Sequence, residues 1–474
     1  MEQRDNAGIE DHPELQAISY DEVRRHIQVI VSRSIPLFRK NIEGVMVPIP
    51  ASRLEQYLGE SAPDTVFYIL QGWEQYGKEA DSAASVFRQA SAGAPSREGP
   101  MSRLEQYGAT FEQVEKFQNL SIVEREEELD HSIEDLHRMK GEGQALDLSA
   151  VVKMVEIIAN TFYANYASLE DNLSTENVKN NLQGLYNKTE WIIRLVIELF
   201  QGESFRYADY PVINRIETGS LTLDKMCRGL LWFIGFILFF NEYVDTGLVT
   251  RQLRMKLRDV YQRYYKRRMP DAGISLETIV RGGLRRVDPD KELVPYALGG
   301  LLYDIGKIPF IAYHDSNDEF DENMVKVHVL IGYNMVLKAK KYPFAVVAMT
   351  AFHHEYYGGR SGYRFTNPII SKLLQKKRTE EDASYFLTYD EKEFIGGKAL
   401  AYFPCKIVEI IDVYNALSSR KRMDTFEALN VMKKEFITNS LKIDPLLFEI
   451  FLEFLSRCGL LEKGARDKID SLIY

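Results

Sequence analysis

Four of the chain's eight histidines, His314, His328, His353 and His354, fall between positions 314 and 354, and none lies between His137 and His314. Histidine is the commonest side-chain metal ligand and titrates near neutral pH, so such clustering calls for a chemical cause. Two carboxylates join the set. Asp304 follows the apolar run LGGLLY, which reads as a buried helix, and Asp412 sits inside a second one, IVEIIDVYNALSS. A carboxylate within an apolar helix must find a partner, because an unpaired buried charge is very costly. His353 and His354 follow the run FAVVAMTAF, and Gly358, Gly359 and Gly362 come soon after. Neighbours on a helix point roughly 100° apart, so both rings reach one site only at its rim or at a helix end, which the glycines mark. Any one of these histidines alone reads more simply as a hydrogen-bonded core or loop residue. The three imidazoles of His328, His353 and His354, with the two carboxylates, read together as a transition-metal centre holding one ion or a pair.

The order DIGK, a lone histidine, HHE with a glycine-rich GY loop, then DVYNAL resembles the HD-GYP branch of the HD phosphohydrolases over roughly residues 275–425. That resemblance implies an all-helical domain binding two or three metal ions, often iron or manganese, and hydrolysing cyclic di-GMP, a bacterial second messenger. Asp304 matches the metal-bridging aspartate of the family. His328, His353 and His354 match the histidines that complete one metal site, and Asp412 matches the distal aspartate of the other. Lys307 matches the lysine that approaches the substrate phosphate, Gly362 and Tyr363 begin the lid loop, and Lys421 stands where a phosphate-binding arginine is usual.

The departures fall on one half of that site. Tyr303 replaces the histidine of the HD pair, and a neutral phenol with a pKa near 10 is a poor ligand at pH 7. Arg364 replaces the proline of GYP. The family's first helix commonly donates a further ligand, but no histidine occurs from 138 to 313; Glu277 is the nearest acidic residue by spacing. The expectation is therefore a domain that binds metal and cyclic di-GMP, with phosphodiesterase activity weakened or lost. An inactive cyclic di-GMP receptor or interaction scaffold, and a phosphohydrolase for another nucleotide, are the alternatives. Restoring histidine at Tyr303 is expected to restore a ligand.

The elements that position these residues read as mostly α-helical. The chain has 474 residues, 45% hydrophobic and 27% charged, enough for two to four domains. Its net charge of −10 excludes general nucleic-acid binding. Three separated cysteines indicate a reducing compartment, and the polar start MEQRDNAGIEDHPEL carries no secretory signal, so a cytoplasmic location is expected. Residues 1–18 are expected to be disordered, 19–140 to form a regulatory or interaction region of no recognised family, 141–220 a helical connector, and 221–474 the HD-GYP-like domain.

Within these spans, 20–40 reads as helix or strand, VMVPIP as extended before a helix, and Asp64–Glu79 as an amphipathic helix. The glutamate-rich stretch Phe111–Arg138 and residues Leu146–Phe205 read as long helices. The repeated SRLEQY at 52–57 and 102–107 has flanks that do not match and reads more readily as chance than as a repeat. GLLWFIGFILFF, at 229–240, is too short for a membrane span of about 20 residues and reads as a buried helix, even the first helix of the bundle with its ligand position turned apolar. Arg251–Arg268 reads as a solvated basic helix, and Lys376–Glu393 as a surface insertion. Thr425–Leu441 and Pro445–Cys458 read as closing helices. Helical connectors of this kind often pair, so a homodimer is an expectation.

Overall fold

In the computed structural model the most apolar run of the chain becomes the helix on which the rest is assembled. The structure describes residues 15–32, 37–40, 46–49, 54–62, 64–70, 120–141, 148–169, 176–202, 205, 207–216, 220–252, 285–310, 322–355, 385–396, 399–420, 423–439, 442–462, 464–465 and 468–469. These residues are mostly α-helical, with two small sheets.

The N-terminal portion pairs a sheet with two helices: β1 (Leu15–Ser19), α1 (Tyr20–Ser32), β2 (Leu37–Lys40), β3 (Met46–Ile49), α2 (Leu54–Glu60) and β4 (Val66–Leu70). The strands are antiparallel in the order β1-β4-β2-β3, with Ala17 opposite Tyr68 and Phe38 opposite both Tyr68 and Pro48. Ser19 and Glu22 cap α1 reciprocally: the Ser19 amide donates to Glu22 at 3.1 Å and the Glu22 amide to the Ser19 hydroxyl at 3.3 Å. Ile18, Val23, Leu37, Phe67 and Ile69 form a core of their own. Two expectations change here. β1 begins at Leu15, inside the tail expected to be disordered, and VFYIL is a strand rather than the start of a helix over 64–79. A short continuous apolar run fits either element by periodicity, and pairing to β1 and β2 decides it.

The helical portion comprises α3 (Ile122–Gly141), α4 (Leu148–Leu169), α5 (Glu176–Gln201), α6 (Leu221–Asp245), α7 (Leu248–Gln252), α8 (Val294–Leu302), α9 (Glu322–Ala339), α10 (Phe344–Phe352), β5 (Tyr385–Thr388), α11 (Glu391–Ile395), β6 (Ala399–Tyr402), α12 (Phe403–Asn415), α13 (Thr425–Val431) and α14 (Pro445–Arg457). A 3₁₀ stretch over Ile305–Phe310 follows α8, and α13 continues in π geometry over Met432–Asn439. α6 is buried on every side from Met226 to Phe240, as expected of a helix whose stretch Gly229–Phe240 is apolar all round. Ser220 caps its start, accepting from the Leu223 amide, and Trp232, Phe236, Phe451 and Phe454 interlock around it. One continuous core runs from Leu129 on α3 to Ile469, so α3, α4 and α5 share it with α6.

α6 also fixes the entry to the site. Asn241 grips the backbone of Val287, donating to its carbonyl and accepting from its amide at 2.8 Å each. Gly229 lets α8 approach: a Cβ there would stand 2.9 Å from both the Gly300 carbonyl oxygen and the Tyr303 ring.

The expected surface insertion is partly interior. β5 pairs in parallel with β6, and Leu387 and Tyr389 are buried. Two four-residue strands are too short to show alternation. The second SRLEQY copy, nearly all of the basic helix, Glu277 and His314 lie outside the described residues. No helix among the described residues is long and apolar enough to cross a membrane.

Candidate metal centre

Three helices, at their ends or along their length, deliver the four converging candidate ligands. Asp304 sits just past the end of α8, where Lys307 donates its backbone amide to the Asp304 carbonyl at 2.9 Å. His328 lies on α9. His353 caps α10, its amide bonded to Met349 at 3.2 Å, and His354 follows in the turn. That ending is what brings two adjacent imidazoles to one place. Asp304, His328, His353 and His354 are all buried, and one ligand atom from each lies within 4.8 Å of the others. Ligands around an ion bound at about 2.0–2.2 Å sit within roughly 4 Å of one another, so these four could close on a metal with little movement.

The hydrogen bonding prepares the imidazoles for that role. His353 Nδ1 is 3.1 Å from the carbonyl oxygens of Met349 and Thr350, which accept and never donate, so Nδ1 carries the proton and Nε2 presents its lone pair. His353 Nε2 faces His328 Nε2 at 3.2 Å, and both face Asp304 Oδ1, at 3.6 and 3.2 Å. Burial, then the Lys307 charge, pushes His328 down to about 4. Burial and the neighbouring imidazoles hold His354 well below the ordinary histidine range. Neutral imidazoles are the form a metal needs.

The other carboxylate oxygen faces a different group. Lys307 Nζ donates to Asp304 Oδ2 at 2.6 Å, and Lys225 Nζ approaches the same oxygen at 3.0 Å. Lys225 also forms an ion pair with Asp412 Oδ1. Burial alone would raise the Asp304 pKa, but the Lys225 and Lys307 charges hold it well below the carboxylate range. Burial pulls Lys225 down, yet the Asp304 and Asp412 charges more than offset it and its pKa rises. Lys307, buried and beside Lys225, falls to about 8.

The structure thus joins Asp304, His328, His353 and His354, and Lys225 links Asp304 to Asp412. Lys307, expected at a phosphate, is held on Asp304. Gly362, Tyr363 and Lys421 lie outside the described residues. Tyr303 is fully buried between Gly229 and the His353 ring, 5.2 Å from that ring's centre, and burial followed by Asp412 and Asp304 pushes its phenol well up. It is a neutral packing group.

Lys225, on α6, was not legible in the sequence as a member of this site. Its one signal is the charged set Asp224, Lys225 and Arg228 standing before the twelve-residue apolar run Gly229–Phe240. Behind the site, Lys406 ties α12 to the HHE turn, donating to the Glu355 carbonyl at 2.6 Å and to Glu409 at 2.8 Å. Asn415, three residues past Asp412 on α12, is buried with no partner among the described residues for either amide atom. A separate groove of about 550 Å³ is lined by Arg285, Glu292, Tyr296, Tyr389 and Tyr402. Its Arg285 is committed to Glu292 and lies over the Tyr389 ring, and it shares no residue with the cluster.

No family model matches the chain, and no curated protein does. Among solved structures it is similar to Bd1817, described as a HDG"Y"P protein from Bdellovibrio bacteriovorus, over 94% of this chain and 100% of that one, at 11% identity and a TM-score of 0.36. That neighbour bears the family name to which the sequence motifs point.

Proposed function

We propose that this chain carries a divergent HD-GYP domain in which Asp304, His328, His353 and His354 hold one divalent transition metal, iron or manganese. Its ligand is a phosphate-bearing nucleotide, cyclic di-GMP first among them, and its phosphodiesterase activity is weak or lost. The observation that supports this reading best is the convergence of three imidazoles and one buried carboxylate oxygen from three places in the fold. A bound divalent ion supplies Lewis-acid stabilisation of a phosphoryl oxygen.

The chain's own residues supply the rest. Asp304 and Asp412 contribute −2 and Lys225 and Lys307 contribute +2, so a divalent ion leaves the site at +2, suited to phosphodiester groups. The unpartnered amide of Asn415 can both donate to and accept from a ligand. Gly362, Tyr363 and Lys421 belong to this reading as substrate contacts.

Tyr303 favours a receptor or scaffold over an efficient enzyme, because the second half of the site lacks its imidazole. Metal analysis of the purified protein beside Asp304→Ala, with cyclic di-GMP binding and turnover, tests the reading. It expects about one metal per chain, lost in the variant, with binding and slow or absent turnover. Brisk hydrolysis, or a metal content unaffected by Asp304→Ala, would overturn it. Binding of another nucleotide in place of cyclic di-GMP would redirect it to that substrate.

A further inference from the structure

We propose that Lys225 is a built-in substitute for a second metal ion, its ammonium standing between Asp304 and Asp412 where a second cation would bind. The inference rests on the metal-centre reading above and adds to it a fixed ion count.

The geometry divides the Asp304 carboxylate into two halves. Oδ1 faces His328 and His353, the side equipped with lone pairs for a metal. Oδ2 faces Lys225 at 3.0 Å and Lys307 at 2.6 Å, and Lys225 goes on to pair with Asp412. Two buried carboxylates flanking one position need a cation there. An ammonium fills that need with three donors and no lone pair, so it neutralises both acids and cannot share the position with a divalent ion.

With the ammonium in place, the residues around the two carboxylates give a metal no further strong ligand. Tyr303 offers a neutral phenol in place of an imidazole, and no histidine stands on α6. The substitutions are matched in packing. Gly229 lies one turn beyond Lys225 on α6, and its missing Cβ leaves room for the Tyr303 ring, which a Cβ would meet at 2.9 Å. The Lys225 ammonium lies 5.9 Å from the centre of that ring. The lysine, the glycine and the tyrosine therefore form one arrangement around a fixed positive charge.

The test is the number of Mn²⁺ ions bound by the full chain, from titration calorimetry and elemental analysis after gel filtration. Three proteins are compared: wild type, Lys225→Met, which keeps the stem and removes the charge, and Lys225→Glu, which adds a ligand. The expected count is one ion in the wild type and two in either folded variant. Two ions about 4 Å apart, the usual spacing of a two-metal site, should also give an exchange-coupled paramagnetic resonance spectrum. Two ions in the wild type, or variants that fold with circular dichroism like the wild type and keep its count, would overturn the proposal. A wild type with no ion would defeat the metal-centre reading instead. In that case an ion gained by Lys225→Glu would still uphold the lysine's role, and no gain would overturn it.

Discussion

His328 and His353 bring their Nε2 atoms to 3.2 Å of each other. Two imidazole lone pairs face one another at that distance only with a proton or a metal between them. His353 has already spent its Nδ1 proton on the Met349 and Thr350 carbonyls. Replacing His353 by Ala should therefore weaken Mn²⁺ binding by more than the roughly 10–100-fold typical of losing a supporting partner. Titration calorimetry reads this directly, and an unchanged affinity would remove His353 from the ligand set.

Tyr303→His, which the sequence alone expects to restore a ligand, should leave the metal count unchanged. The new imidazole would meet a position filled by the Lys225 ammonium. It would also leave part of a fully buried site empty, lowering stability by about 1–3 kcal/mol. Elemental analysis and urea unfolding check the two halves; a count raised by this change alone would contradict the account.

Gly306, within DIGK, packs on α9 so closely that a Cβ there would overlap the His328 carbonyl oxygen. Gly306→Ala must push the Asp304 segment away from the His328 helix. A stability loss of about 3 kcal/mol or more is expected, together with loss of metal at temperatures where the chain stays folded. A folded, metal-replete variant would show that the contact is not needed to hold the two ligands together.

Glu409 gives the site a pH dependence. Burial raises its carboxyl to about 7, with Lys406 opposing and Asp412 and Glu355 reinforcing. Between its ordinary value near 4.5 and about 7 the folded chain holds a proton that the unfolded chain has released. This carboxyl's contribution to stability therefore falls as pH rises through that window. The span of about 2.5 units corresponds to on the order of 3 kcal/mol. Glu409→Gln has no such proton, so its unfolding free energy should decline less steeply than the wild type's between pH 5 and 8. Parallel slopes would contradict the assignment.

The candidate ligands stood out in the sequence because histidine is scarce here and its few copies are bunched. Asp304, His328, His353 and His354 do meet in space. Lys225 was not legible, because a lysine near a helix start ordinarily faces solvent, and only the packing of α6 against α8 and α12 turns it inward. Helix α6 itself was plain from its unbroken apolar run. The strand β4 was not, since VFYIL satisfies helix and strand periodicity alike and its partners lie more than twenty residues away in sequence. β5 and β6 were hidden in the same way, being four residues each and defined by one another.

The central claim is a single metal bound by Asp304, His328, His353 and His354. The most direct measurement is an anomalous difference map from crystals of the manganese-loaded full chain. The account predicts one peak among Asp304 Oδ1 and the three imidazoles, with the Lys225 ammonium between Asp304 and Asp412. A second peak in the place of that ammonium, or no peak among the histidines, would contradict it.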